Sequence, residues 1–163
     1  MPEEFSIRTL NAGDDHELFL VERLFQSMYD YMEEHGLIIG LADDGASKWL
    51  KGAKKGLGRF GVIYIASTGD DIKGFAHGSI RLTPDYLGNK KVGVITHIFV
   101  EDEYRGKGIG EKLIRGLEKW FVENEVHSME LQVLSANQKG IVFWKKLGYH
   151  SELLQCRKPG SAL

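Results

Sequence analysis

Val92-Gly-Val-Ile-Thr-His-Ile-Phe-Val100 runs straight into Glu101-Asp-Glu-Tyr-Arg105-Gly-Lys-Gly-Ile-Gly110, and the reading of this stretch decides the fold. An apolar strand enters a short acidic turn and then three glycines separated by Lys107 and Ile109. A helix follows at once, with Ile109, Leu113, Ile114, Leu117, Trp120 and Phe121 at helical spacing. Glycine lacks Cβ, so the backbone can bend until successive N–H groups point into one concavity, and the helix start aims its unpaired N–H groups and positive dipole end at the same spot. Arg105 and Lys107 add two cations, while Glu101, Asp102 and Glu103 are expected to turn away from a bound anion. The stretch reads as a device for holding phosphate; the plainer reading is a glycine-rich strand-to-helix turn with charges on its surface.

Two other glycine loops are excluded by context. A Walker loop needs serine or threonine after Gly-Lys, and here Lys107 is followed by Gly108. The Gly-x-Gly-x-x-Gly at Gly56-Leu-Gly58-Arg-Phe-Gly61 follows a helix-like stretch and opens a strand, the reverse of a dinucleotide fingerprint.

Working outward, Phe5 to Leu10 suits a short strand, and Asp14 or Asp15 is expected to cap a helix with Leu18, Val21, Leu24, Phe25, Met28 and Met32 on one stripe. That helix ends near His35-Gly36. Asp43 or Asp44 can cap a second helix through Trp49 and Leu50, in a segment suited to wall a groove. The period then changes to two: Val62 to Ala66 and Ile72 to Leu82 form a hairpin around Thr68-Gly-Asp-Asp71, and Leu87 to Lys91 reverses the chain into the strand first quoted. Beyond the long helix, Ser128 to Leu134 reads as a strand. Asn137 caps or precedes a helix with Ile141, Phe143, Trp144 and Leu147, stopped by Gly148, and a last strand is expected over Tyr149 to Arg157. This order predicts an α/β mixed sheet with helices on both faces in one domain spanning 1–163.

The 163 residues are 42% hydrophobic and carry a net charge of -2, which suits one compact domain and argues against a general nucleic-acid or acidic-membrane binder. Cys156 is the only cysteine, so a disulfide framework or zinc cluster is excluded, and no metal is expected. The histidines at 16, 35, 77, 127 and 150 show no metal-ligand spacing. With no apolar leader and no long apolar run, the expected setting is cytoplasmic.

Two stretches carry a family resemblance. Arg105-Gly-Lys-Gly108-Ile-Gly110, preceded by the apolar strand, matches in full the Arg/Gln-x-x-Gly-x-Gly/Ala pattern of the GNAT superfamily, the acyl-CoA-dependent N-acyltransferases. Asn137-Gln-Lys-Gly140-Ile-Val-Phe143-Trp-Lys-Lys-Leu-Gly148-Tyr149 resembles that family's second motif. The resemblance implies a mixed, mostly antiparallel sheet of six to seven strands. It also implies a transfer of acetyl, or another small acyl group, from acetyl-CoA to a primary amine of a small molecule or peptide, by direct attack in a ternary complex. Arg105, Gly106, Lys107, Gly108, Ile109 and Gly110 would grip the pyrophosphate, and the backbone of Ile98, Phe99 and Val100 would pair with the pantetheine arm. The strand must then splay from its neighbour, and an amide near Val100 would face the developing oxyanion. Asn137 would touch the arm and Phe143 would pack beside it.

The chain departs from the family where proton transfer is concerned. Trp144 stands where the second motif usually has the tyrosine that protonates the departing thiolate. Some relatives carry glutamate or histidine at positions matching Val94 or Thr96; His97 is one residue over, facing the other side of a regular strand unless a bulge swings it round. His97 is thus the candidate base or water relay, and Tyr149 and Tyr104 are candidate acids. Two further readings stay open: a coenzyme A binding module without efficient catalysis, and a nucleotide-binding regulatory domain using the glycine loop alone. Many relatives form a homodimer through a sheet edge or C-terminal strand, a point the sequence leaves undecided.

Overall fold

The computed structural model describes residues 3–162. Strand β1 (Ser6–Thr9) leads into helix α1 (Asp15–Glu34) and helix α2 (Gly45–Gly56), and then β2 (Gly61–Thr68), β3 (Asp71–Leu82) and β4 (Lys91–Val100) follow. Helix α3 (Ile109–Glu123), β5 (Ser128–Leu131) and α4 (Gln138–Lys146) complete the regular structure. The five strands form one sheet in the order β1-β2-β3-β4-β5. The pairs β1–β2, β2–β3 and β3–β4 are antiparallel, and β4–β5 is parallel.

Local chemistry accounts for the hairpin and the helix ends. β2 turns into β3 through Gly69 and Asp70, with Gly69 at φ +57°, the left-handed conformation that a two-residue hairpin asks of its first central residue. Asp14 does not cap α1 as expected: its Oδ2 instead accepts the Asn11 N–H at 2.7 Å. Asn137 does cap α4, its Oδ1 accepting from Gly140 N–H at 3.0 Å.

The sheet is buried on both faces. On one, Leu18, Val21, Leu24, Phe25 and Met28 of α1 join Ile63, Ile65, Phe75 and Phe99, with Trp49 and Leu50 of α2 against them. On the other, Ile109, Leu113, Ile114, Leu117 and Phe121 of α3 and Trp144 of α4 pack on Val62, Ala66, Ala76, Ile95 and Val100. A Cβ on Gly93 would lie 2.7 Å from the Phe121 ring and one on Gly78 would lie 2.9 Å from Leu117 Cδ2, so both glycines let α3 sit close on the strands.

The expected six to seven strands are corrected to five. The segment expected to form the last strand, Tyr149 to Arg157, has no strand structure, and it is exposed from residue 151 onward, with Leu153 and Leu154 each 88% exposed. A strand needs a neighbouring backbone, and β5 stops at Leu131, short of the Leu134 expected, so its outer edge is only four residues long. What links the segment to the chain beyond β5 is a side-chain bond, Gln132 Nε2 to Gln155 Oε1 at 3.4 Å.

Candidate active site

The site begins where β4 loses a neighbour. Its pairing with β5 runs from Val92↔Ser128 to Ile95↔Leu131 and stops, while its pairing with β3 continues to Val100. From Thr96 to Val100 the edge that faced β5 is therefore open. The Glu101 N–H donates to Lys73 O across the β3 side at 3.0 Å. By strand alternation Phe99 also faces β3, and the backbone groups of Ile98 and Val100 point into the opening. The Val100 carbonyl is already engaged there, accepting from Arg105 Nε at 2.8 Å.

The glycine loop adjoins this edge. Gly106 (φ +76°) and Gly108 (φ +79°) both sit in the left-handed region, Gly108 as the residue that opens α3 without any side-chain cap. Among the described residues, the N–H groups of 106–111 donate to no backbone acceptor; the next amide, that of Lys112, returns to Gly108 O at 3.1 Å. A row of unpaired donors at a helix start, with the positive dipole end behind it, fits an anion of pyrophosphate type.

The two cations beside the loop differ. Arg105 Nη1 pairs with Asp102 Oδ1 at 2.8 Å, and its guanidinium lies 4.6 Å from the Tyr31 ring centre and 5.2 Å from that of Phe99. Of the acidic run expected to turn away, Asp102 instead reaches back to Arg105, whose remaining role is to brace the Val100 carbonyl, while Glu101 lies toward Lys73 of β3. Lys107 is exposed, lies 4.8 Å from the Tyr104 ring centre, and has no carboxylate partner among the described residues. It is the cation left for a phosphate.

On the α1–α2 face, a histidine cluster lies level with the point where the sheet opens. The β3–β4 register passes from Gly78↔Ile95 to His77↔His97, leaving Thr96 as an extra residue in β4. This bulge reverses the expected facing of His97. Ile95 and Val100 belong to the α3 face, whereas His97 points at α1 and α2: its ring centre is 4.8 Å from Phe25, 6.4 Å from Tyr29 and 5.5 Å from Trp49. His77 lies beside it at 6.2 Å, also against Trp49 at 5.6 Å. Burial lowers the pKa of His77 to about 4; burial, with His77 adding to it, lowers His97 to about 3. Both imidazoles are neutral at pH 7 and can accept a proton's hydrogen bond.

Other predicted residues fall on the α3 face. A Cβ on Gly110 would lie 3.4 Å from Phe143 Cζ and 4.0 Å from Ile98 Cδ1, so loop, open strand and α4 meet at one place. Asn137, at the start of α4, has its side-chain acceptor occupied by the helix cap. Trp144 is buried, edge-on to Phe143 and Tyr149. The Tyr149 hydroxyl donates to Glu118 Oε1 at 3.0 Å, and burial together with the Glu118 charge raises its pKa above the usual phenol value. Sequence reasoning did not single out His77, Thr96 or Trp49 as site residues. A faint signal for His77 was its place on the same strand face as Phe75, two residues away.

Four likenesses to known proteins bear on this geometry. The model of the Acetyltransferase (GNAT) family matches residues 22–149. An uncharacterized N-acetyltransferase, YobR, of Bacillus subtilis (strain 168) is 37% identical over 57 residues, which are 35% of this chain and only 23% of that protein. Among solved structures, the aminoglycoside N-acetyltransferase AAC(6')-Iy in complex with CoA aligns at TM-score 0.76 and 19% identity over 97% of each chain. An aminoglycoside acetyltransferase from an uncultured soil metagenomic sample, in complex with trehalose, aligns at 0.73 and 16% over 95% of each. At these identities the two structures show a shared fold.

Proposed function

The chain belongs to the acetyltransferase (GNAT) family, and from that premise we propose that it moves an acetyl group from acetyl-CoA to a primary amine of a small molecule or peptide, by direct attack in a ternary complex. The observation that carries this reading is the open edge of β4 from Thr96 to Val100, set against the unpaired amides of residues 106–111. Acetyl-CoA supplies an acyl thioester. The chain's own part is to hold and orient: the loop amides and Lys107 take the pyrophosphate, the backbone of Ile98 takes the extended arm, and the Val100 amide donates to the oxygen on which charge develops. Phe143 closes the side of the opening next to Gly110.

His97 is the proton acceptor in this reading. A primary amine of pKa about 10.4 is mostly protonated at pH 7, and reaching the neutral nucleophile costs roughly 4.6 kcal/mol, whereas a thiol of pKa about 8.5 leaves with little help. The base therefore matters more than the acid. Tyr149 serves as proton donor only by exchanging its Glu118 bond for the sulfur. The partly exposed rings of Tyr29 and Trp49 beside His97 suit a cationic amine approaching along α1. AAC(6')-Iy, bound to CoA, is an aminoglycoside N-acetyltransferase, which supports testing polyamino sugars first.

A second reading, a coenzyme A binding module without efficient catalysis, is favoured by Trp144, an indole buried where a phenol would act as acid. Both readings share one test of the cradle. Acetyl-CoA is expected to raise the melting temperature, and Gly108→Glu to abolish that rise by placing a carboxylate at a helix start whose residue sits at φ +79°. A larger rise with ATP than with acetyl-CoA overturns the coenzyme A assignment.

A further inference from the structure

The bulge that turns His97 also sets its proton. Thr96 Oγ1 makes three contacts: it lies 2.9 Å from the His77 carbonyl, 3.0 Å from His97 Nδ1, and within hydrogen-bond distance of His77 Nδ1. A hydroxyl has one proton to give and two lone pairs to accept with, and a carbonyl can only accept. All three contacts are satisfied together only when the hydroxyl proton goes to the His77 carbonyl and both imidazoles donate from Nδ1. Each neutral ring then carries its free lone pair on Nε2.

The Nε2 atoms are placed to use it. Neither makes a protein hydrogen bond, and among the described residues no sealed side-chain nitrogen or oxygen lacks a partner. Both therefore keep some contact with solvent, His77 near Gly61, where a Cβ on that glycine would lie 3.6 Å from His77 Nε2.

We propose that Thr96 is a positioning residue that holds His97, together with His77, as the Nδ1–H tautomer, so that His97 Nε2 receives the proton from the attacking amine. This rests on the acyl-transfer reading above. In the step, the nitrogen of the neutral amine bonds to the acyl carbon, one of its N–H bonds breaks as a new N–H bond forms at Nε2, and the carbon–sulfur bond of the thioester then breaks with coenzyme A leaving as its thiolate. The resulting imidazolium keeps its Nδ1–H on Thr96 Oγ1, so the contact survives in both protonation states, and the Nε2 proton returns to solvent after the products leave. His77 holds the other lone pair of the same hydroxyl, fixing its orientation.

The test pairs spectroscopy with kinetics on the full chain. Imidazole nitrogen resonances in long-range proton–nitrogen correlation spectra, assigned with His77→Gln and His97→Gln variants, report the tautomers directly. Wild type and Thr96→Ser are expected to show both rings protonated on Nδ1, and the isosteric Thr96→Val to lose that state while remaining folded by circular dichroism. Turnover with acetyl-CoA and an amine accepted by wild type is expected to fall about a hundredfold or more in Thr96→Val and to be restored in Thr96→Ser. Rings carrying the proton on Nε2 in wild type overturn the proposal, as does a Thr96→Val enzyme of undiminished turnover or a Thr96→Ser enzyme as slow as Thr96→Val. If wild type turns over no amine, the acyl-transfer reading and the proton step fail together, while the spectra still decide whether Thr96 sets the tautomers.

Discussion

Acid should destabilise this protein through His77 and His97, because burial disfavours the charged form of both rings. In the unfolded chain both rings return to the ordinary value of about 6.5, while in the folded chain burial holds them near 4 and 3. The groups facing them are Phe25 and Tyr29 from α1, Trp49 from α2 and Thr96 from β4, none of which is charged at neutral pH. Between these folded values and pH 6.5 the unfolded state binds more protons, so stability is fully present above pH 6.5 and is lost as pH falls toward 4 and 3. At pH 4.5, two units below the unfolded value, each ring costs roughly 2 to 3 kcal/mol, and the pair about 5 kcal/mol, comparable with the whole stability of a modest domain. Urea denaturation of wild type and His97→Gln at pH 7.5 and pH 4.5 isolates one ring's share, because the other titrating groups are common to both proteins. The variant should lose about 2 to 3 kcal/mol less than wild type across the interval, whatever its stability at pH 7.5. Equal losses in the two proteins would mean that His97 is not held neutral by burial, and the argument for its lone pair would fail with it.

Three further outcomes follow from the same geometry. Because His97 stays neutral well below pH 6, kcat/KM should climb with pH toward the pKa of the amine without an inflection near 6.5; an inflection there that vanishes in His97→Gln contradicts the lowered value. Gly93→Ala drives a methyl against the Phe121 ring and should cost about 1 to 3 kcal/mol in thermal or urea unfolding, whereas Gly13→Ala, with nothing within 4 Å of the new carbon, should leave stability almost unchanged. Tyr149→Phe removes the donor to Glu118 and should cost about 1 kcal/mol of stability, and an unchanged kcat would remove Tyr149 from the reaction.

Local signals in the sequence went furthest. The loop and α3 were legible because glycines at 106, 108 and 110 and apolar residues at helical spacing each act within a few residues of one another. The β2–β3 hairpin was legible for the same reason, through Gly69 and a period of two. What escaped the reading depended on distant partners. The segment from Tyr149 to Arg157 is expected as a last strand, but a strand exists only where another backbone can bond to it, and β5 is too short to offer that edge. The facing of His97 turns on one extra residue in the register between β3 and β4, which no periodicity within β4 reveals. Thr96 was set aside as unable to act as a base, which is correct for its own chemistry and blind to its contacts with two histidines. Arg105 was counted as a charge for phosphate because sequence proximity to Asp102 does not show that the two side chains meet.

Acyl transfer to an amine is decided by whether an acetylated product forms. The protein would be incubated with acetyl-CoA and, separately, polyamines, aminoglycosides, amino acids and peptide N-termini, with free thiol release followed continuously and the amine identified by mass spectrometry. Thiol release that depends on both the protein and one class of amine, matched by an acetylated product, is the predicted result. Tight binding of acetyl-CoA with no acetylated amine from any class would contradict it and leave a coenzyme A binding module in its place.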